Sequence, residues 1–118
     1  MSEKMFFNGM DPARVSRACD RLTKESSAFL QEPVRWSGRP PAPCTYLKCL
    51  RDRGPLSPRH QDRMAANLGN AVKVVALDAC HYAMLDRTCE VAAALNQIAR
   101  DAKLSSAEPD AAPGRDGK

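Results

Sequence analysis

Apolar residues are concentrated in two short runs near the middle of the chain, at residues 44–50 and 71–77, and each run contains a single charged residue, a lysine. Runs of this length and composition predict β-strands that are buried on both faces. The segment between them opens with Ser57 and Pro58, an N-cap followed by proline at the first helical position, and ends at Gly69. The pattern therefore predicts a βαβ unit whose two strands lie parallel.

Upstream of this unit the pattern is helical. Asp11 is followed by a proline, which is again a typical helix start, and apolar side chains continue at helical spacing as far as Leu22. A second short helix is expected between Thr23 and the proline at position 33. The proline-rich residues 32–43 are predicted to be a connector in which Trp36 packs as an anchor.

Downstream, one more amphipathic pattern predicts a helix with Asp86 as its N-cap. Its apolar residues recur at spacings of four, three and four, namely Val91, Leu95, Ile98 and Ala102. Residues 104–118 are small, polar and proline-containing, which predicts a disordered tail. The whole pattern predicts an α/β fold, divided into a helical region over residues 1–35, a βαβα portion over residues 36–103 and this tail.

Composition limits the classes of function. The 118 residues carry a net charge of +4, but lysine and arginine are interspersed with acidic residues, and aromatic residues make up only 5% of the chain. A nucleic-acid-binding protein more often has a basic stripe with interleaved aromatic residues, so no nucleic-acid partner is expected. No apolar stretch approaches the length of a membrane span, so no membrane partner is expected either.

The five cysteines favour a reducing compartment, because their number is odd and no signal peptide opens the chain. We therefore expect a cytoplasmic protein. A zinc site built from Cys80, His81 and Cys89 would lack the usual spacing of ligands, so neither a metal nor another cofactor is expected.

Polar turns follow both predicted strands, with Asp52 after the first and His81 after the second. The carboxyl ends of parallel strands meet at one edge of a sheet, which is where open α/β sheets place their chemistry. A carboxylate beside an imidazole can hold the ring in the tautomer that accepts a proton. Asp52 and His81 are thus candidates for the acid and base of an incomplete catalytic triad. Taken singly, each also fits ordinary turn chemistry or a capping role.

The text around these turns resembles a known family. The stretch TYLKCLRDRGPLSPRHQDRM, then VVALDACHYAML and a closing helix, is similar to the carboxyl-terminal third of α/β-hydrolases of the esterase, methylesterase and hydroxynitrile-lyase group. Upstream, FFNGMDPARVSRACDRLTKESSAFLQEPVRW resembles the end of the cap region in bacterial members. The resemblance implies a partial α/β-hydrolase fold, Asp52 as triad acid, His81 as triad base, and hydrolysis of an ester or similar acyl bond.

The chain also departs from this group. No Gly-x-Ser-x-Gly nucleophile elbow occurs in it, and the serines are expected in caps, helices and loops. Tyr82 follows the histidine where the group more often has a small or polar residue, and it is expected to narrow the space for an acyl group. Because a nucleophile and an oxyanion hole supply most of the rate enhancement, we predict that the chain alone is inactive.

Two interpretations stay open at this point. In the first, the chain is the carboxyl-terminal segment of an esterase-like hydrolase; its partners are a small ester substrate in the complete enzyme and either an amino-terminal hydrolase half or a second copy of itself. In the second, it is a small non-enzymatic protein-interaction module, with an exposed apolar sheet face and the helix after Asp11 as its interface. An upstream reading frame that encodes Gly-x-Ser-x-Gly would favour the first.

Overall fold

The computed structural model describes residues 5–38, 42–54 and 56–106 of the chain. The elements along these residues are, in order, α1 (Pro12–Cys19), a 3-10 helix (Ala28–Leu30), β1 (Thr45–Cys49), α2 (Pro58–Asn67), β2 (Lys73–Leu77), α3 (Ala83–Asp86) and α4 (Thr88–Ser106). The predicted α/β class is confirmed.

The predicted βαβ unit is confirmed as well. The strands β1 and β2 pair in parallel, with Thr45 opposite Lys73 and Cys49 opposite Leu77, and α2 forms the crossover between them. The hydrogen bonding between the strands continues past the end of β1, where the Leu50 N–H donates to the carbonyl of Leu77 at 2.9 Å. The two turns that follow the strands are thereby held side by side.

The prediction that both strands are buried on both faces is wrong. All of β1 is only half-buried, and in β2 Leu77 alone is buried while Val74 is 49% exposed. The described residues provide two strands and few helices, which is too little surface to cover both faces of a sheet.

The core consists of two small clusters. One contains Phe7, Met10 and Cys80, and the other contains Leu77, Ala79 and Ala83. The adjacent residues Ala79 and Cys80 belong to different clusters, so the loop after β2 is where the two clusters meet. Both residues are fully buried, and this well-packed loop carries His81.

The amino-terminal helices are shorter than predicted. The first ends at Cys19 and not at Leu22, and the second is a single 3-10 turn. Trp36 is 61% exposed, so the expectation that it packs as an anchor is wrong. The connector between Trp36 and β1 includes residues 39–41, which lie outside the described part of the chain.

The carboxyl-terminal helix differs from the prediction at both ends. Asp86 is not its N-cap; it ends α3, and α4 begins at Thr88, whose hydroxyl donates to the carbonyl of Met84 at 2.8 Å. The helix continues to Ser106, so residues 104–106 of the predicted tail are helical. The rest of that tail, residues 107–118, lies outside the described residues.

Candidate functional site

Asp52 lies in the turn that follows β1 and is only 3% exposed. Its Oδ1 accepts a hydrogen bond from the backbone N–H of Gly54 at 2.9 Å, which is the usual way an aspartate organises the turn it belongs to. A carboxylate buried to this degree requires donors for its other oxygen as well. The turn thus fixes one carboxylate oxygen and leaves Oδ2 for a second partner.

That partner is His81. Its Nδ1 lies 2.7 Å from Oδ2 of Asp52, so the structure brings together the two candidate residues predicted from the sequence. An ionised carboxylate can only accept hydrogen bonds, so in this pair Nδ1 carries the proton. Nε2 of the neutral ring then bears the lone pair. No hydrogen bond joins Nε2 to any residue in the described ranges, and the side chain is 26% exposed.

Aromatic rings hold the imidazole from two sides. The ring of Phe6 lies 5.3 Å from that of His81 between centroids, and the ring of Tyr82 lies 5.4 Å away in an edge-on arrangement. Tyr82 is itself stacked on Phe7 at 5.0 Å. The residues just before α1 therefore orient His81, and the Tyr82 ring packs into the same aromatic group. Its expected effect on an acyl group stays a prediction.

Arg51, which is not among the site residues predicted from the sequence, joins the two turns to each other. Its guanidinium donates to the carbonyl of Asp78 at 3.0 Å and to the carboxylate of Asp86 at 2.6 Å, and also reaches the carbonyl of Asn8 at 3.1 Å. Gly9 permits this approach, because its φ is +74° and a Cβ there would collide with the guanidinium. The signal in the sequence was an arginine directly beside the candidate acid.

Asp86 completes the connection on the side of the histidine. The Oδ2 that receives the Arg51 guanidinium also accepts the backbone N–H of Cys80 at 2.9 Å. Cys80 immediately precedes His81, so a single carboxylate oxygen joins Arg51, the neighbour of the acid, to the neighbour of the imidazole. The side chain of Asp86 is 7% exposed, and nothing in its sequence position distinguished it from a helix cap.

Gln61 in α2 is a further residue whose role emerges only from the structure. It is 3% exposed and uses its whole amide. Its Oε1 accepts the N–H of Cys49 at 2.7 Å, and its Nε2 donates to the carbonyls of Cys49 at 2.9 Å and Leu56 at 2.7 Å. Gln61 thereby fixes α2 against the end of β1, three residues before Asp52.

No nucleophile is joined to His81 within the described part of the chain. The serine hydroxyl that does approach a histidine is that of Ser57, and it lies 3.0 Å from Nδ1 of His60, at the start of α2. His60 is exposed, so this contact is a surface feature. The acid–imidazole pair therefore lacks a third member among the residues described.

Two cysteines close to the pair are held as thiols. Burial raises the pKa of Cys80 above its ordinary value, and the neighbouring Asp86 carboxylate adds to the effect. Burial likewise raises the pKa of Cys49, with a further contribution from the Asp52 carboxylate. A thiol is a weaker nucleophile than a thiolate, so the raised pKa values make both cysteines less reactive than an unperturbed cysteine.

Two grooves lie along the amino-terminal segment, with volumes of about 660 and 590 Å³, and neither is lined by Asp52 or His81. Over residues 5–38, 42–54 and 56–106, no group of three or more His, Cys, Asp or Glu side chains is placed to hold a metal ion. In the same ranges no helix combines the length and apolar character that crossing a bilayer requires.

No protein-family model, curated protein or solved structure matches the chain in the comparisons with known proteins.

Proposed function

We propose that the chain is the carboxyl-terminal portion of an esterase-like α/β-hydrolase, with Asp52 as the acid and His81 as the base of its catalytic triad. The observation that supports this most directly is the 2.7 Å contact between Asp52 Oδ2 and His81 Nδ1. The contact lies at the carboxyl edge of a parallel βαβ unit, where α/β folds carry their chemistry. The acid precedes the histidine in the chain, as it does in α/β-hydrolases.

In this proposal His81 takes the proton of an attacking hydroxyl on Nε2 and later returns it to the leaving alcohol of the ester. Asp52 holds the Nδ1–H tautomer and stabilises the imidazolium that forms. The ring is 26% exposed, so a hydroxyl group from outside the described residues can reach it. The substrate would be a small ester bound in the complete enzyme, and the protein would be cytoplasmic.

The hydroxyl nucleophile and the oxyanion hole would come from an amino-terminal hydrolase half. No Gly-x-Ser-x-Gly occurs in the chain, and no described serine contacts His81. We therefore expect the isolated chain to hydrolyse p-nitrophenyl esters no faster than free imidazole does. This expectation follows from the loss of both the nucleophile and the preorganised donors.

The test is complementation. The amino-terminal two thirds of an esterase of this group, bearing the nucleophile elbow, is combined with the chain, and hydrolysis of p-nitrophenyl butyrate is measured. Activity should appear with the wild-type chain, disappear with His81→Ala and fall steeply with Asp52→Asn. His60→Ala and Asp62→Asn change the other histidine and an exposed carboxylate, so they should retain the activity. Activity that survives His81→Ala would refute the assignment.

A second candidate function, a non-enzymatic interaction module, is favoured by the exposure of β2. Lys73, Val74 and Ala76 are exposed in a two-stranded sheet whose strands pair only with each other among the described residues. An open edge of this kind favours addition of a further strand, including one from a second copy. Analytical ultracentrifugation would show a concentration-dependent dimer that Val74→Lys dissociates; a monomer at all concentrations would count against self-association.

A further inference from the structure

The larger groove runs between α1 and the junction of α3 with α4, and its volume is about 660 Å³. This lies within the range of small-molecule sites in proteins. Arg14 ties the two walls together, because its guanidinium donates to the carbonyl of Leu85 at 3.1 Å. The groove is therefore a defined feature of the fold, and it lies apart from Asp52 and His81.

The groove is lined by apolar side chains and by arginines. Met10 is buried, Ala18 is half-buried and Leu85 is 43% exposed, and these side chains provide apolar surface. Three arginines line the same groove, two of them within α1 and the third in the turn just after that helix ends at Cys19. They are Arg14, Arg17 and Arg21.

Two of these arginines have no partner among the described residues. Arg14 is engaged with Leu85, whereas no hydrogen bond or ion pair joins the guanidinium of Arg17 or Arg21 to another described side chain or carbonyl. Asp20 also lines the groove. Its carboxylate reduces the positive charge and disfavours a ligand with more than one negative charge, because like charges repel at short range.

We propose that this groove binds a monoanionic amphiphile, a carboxylate with an aliphatic chain. The guanidinium groups of Arg17 and Arg21 would receive the carboxylate, since arginine matches a planar carboxylate with paired hydrogen bonds. The aliphatic chain would lie on Met10, Ala18 and Leu85. The site is independent of the esterase proposal, because none of its residues belongs to the acid–imidazole pair or to the turns that carry it.

The test uses the full chain and sodium decanoate below its micellar concentration, followed by NMR chemical-shift titration. Saturable shifts are expected in the amides of residues 14–21 and 85–88. The double variant Arg17→Gln/Arg21→Gln should weaken binding about tenfold or more, because charge-assisted hydrogen bonds are lost. The matched control Arg59→Gln/Arg63→Gln removes two exposed arginines from α2 and should leave the affinity within about twofold. Equal weakening by both pairs would overturn the site.

Charge reversal makes the test independent of protein stability. Arg17→Glu/Arg21→Glu should lose decanoate and gain decylammonium at the same amides, since the apolar surface is retained and only the sign of the head-group site changes. Neutral decanol should bind the wild type about tenfold more weakly than decanoate. Decanol binding as tightly as decanoate would show a nonspecific apolar surface. Binding only to phosphatidylglycerol vesicles, with no effect of monomeric decanoate, would show a membrane-surface contact; either result refutes the proposal.

Discussion

Arg51 donates to Oδ2 of Asp86 at 2.6 Å, and the same oxygen accepts the backbone N–H of Cys80 at 2.9 Å. Arg51 precedes Asp52 and Cys80 precedes His81, so this single carboxylate oxygen connects the two turns that carry the candidate acid and base. The two turns that hold the contact between Asp52 and His81 are therefore also joined by an ionic contact one residue away. Removing either partner leaves a buried charge or a buried N–H without its match.

We predict that Arg51→Gln lowers the free energy of unfolding by about 2–3 kcal/mol, because the Asp86 carboxylate keeps its buried position and loses its cation. The figure is below that for a fully buried pair, since the Arg51 side chain is 26% exposed. Urea unfolding monitored by circular dichroism measures it. Arg87→Gln is the matched control, because Arg87 donates to the same Asp78 carbonyl that Arg51 contacts, at 2.9 Å. The Arg87 side chain is 40% exposed, so this substitution should change the free energy of unfolding by less than about 1 kcal/mol. An equal decrease in the free energy of unfolding in the two variants would contradict the role of Arg51 in linking the two turns.

Asp52→Asn should change the tautomer of His81 without removing the ring. The carboxylate requires a proton on Nδ1, whereas an amide can either donate or accept, so the Nδ1–H form loses its preference. Nitrogen-15 NMR of the imidazole should show a predominantly Nδ1–H neutral ring in the wild type and a mixture in the variant. His60, which contacts Ser57 instead, provides the internal control in the same spectrum. A wild-type ring that is mainly Nε2–H would contradict the assignment.

Gln61→Leu should destabilise the chain by about 2–3 kcal/mol, since the N–H and carbonyl of Cys49 and the carbonyl of Leu56 would lose their partner in a buried site. Amide hydrogen exchange of Cys49 should accelerate in the same variant. Gln97→Leu changes a glutamine on exposed helix surface that donates a hydrogen bond to the side chain of Asp101, and it is expected to have little effect on either quantity. An unchanged exchange rate of the Cys49 amide in Gln61→Leu would argue against the role of Gln61 in holding α2 against the end of β1.

The sequence predicted the parts of the molecule that local chemistry determines. The N-cap and proline pairs at Asp11 and Ser57 indicated where α1 and α2 begin, and the two apolar runs indicated β1 and β2. Parallel pairing then brought Asp52 and His81 to the same edge. The catalytic role of this pair stays a prediction.

The failures have a shared physical cause. The position of Asp86 predicts a helix cap because capping depends on neighbours in sequence, whereas its actual partner, Arg51, is 35 positions away. Trp36 is predicted to pack as an anchor in the connector, but it is 61% exposed, and the described residues supply no surface that covers it. Long-range ion pairs and missing packing partners leave no periodic trace in a sequence, so only the structure reveals them.

The buried thiols give a prediction about alkaline pH. Burial raises the pKa of Cys49 and Cys80 in the folded chain, while the unfolded chain releases these protons near the ordinary value of about 9. Above that pH the unfolded state binds fewer protons than the folded state, so the free energy of unfolding should fall as the pH rises from about 9 towards the folded values. Below about 8 the two thiols should contribute no pH dependence, since both states are protonated.

Urea unfolding at pH 7.5 and pH 10 separates this effect from the general stability of each variant. Cys80→Ala should be less stable than the wild type at both pH values, because it removes a fully buried side chain. The decrease in its free energy of unfolding from pH 7.5 to pH 10 should be smaller than that of the wild type. Cys89→Ala changes an exposed cysteine and should show the same loss as the wild type. The raised pKa of Tyr46 adds an alkaline contribution common to all three proteins, so the difference between them reports on Cys80 alone. Identical losses in wild type and Cys80→Ala would mean that Cys80 has the same pKa in the folded and unfolded chains, which would contradict a pKa raised by burial.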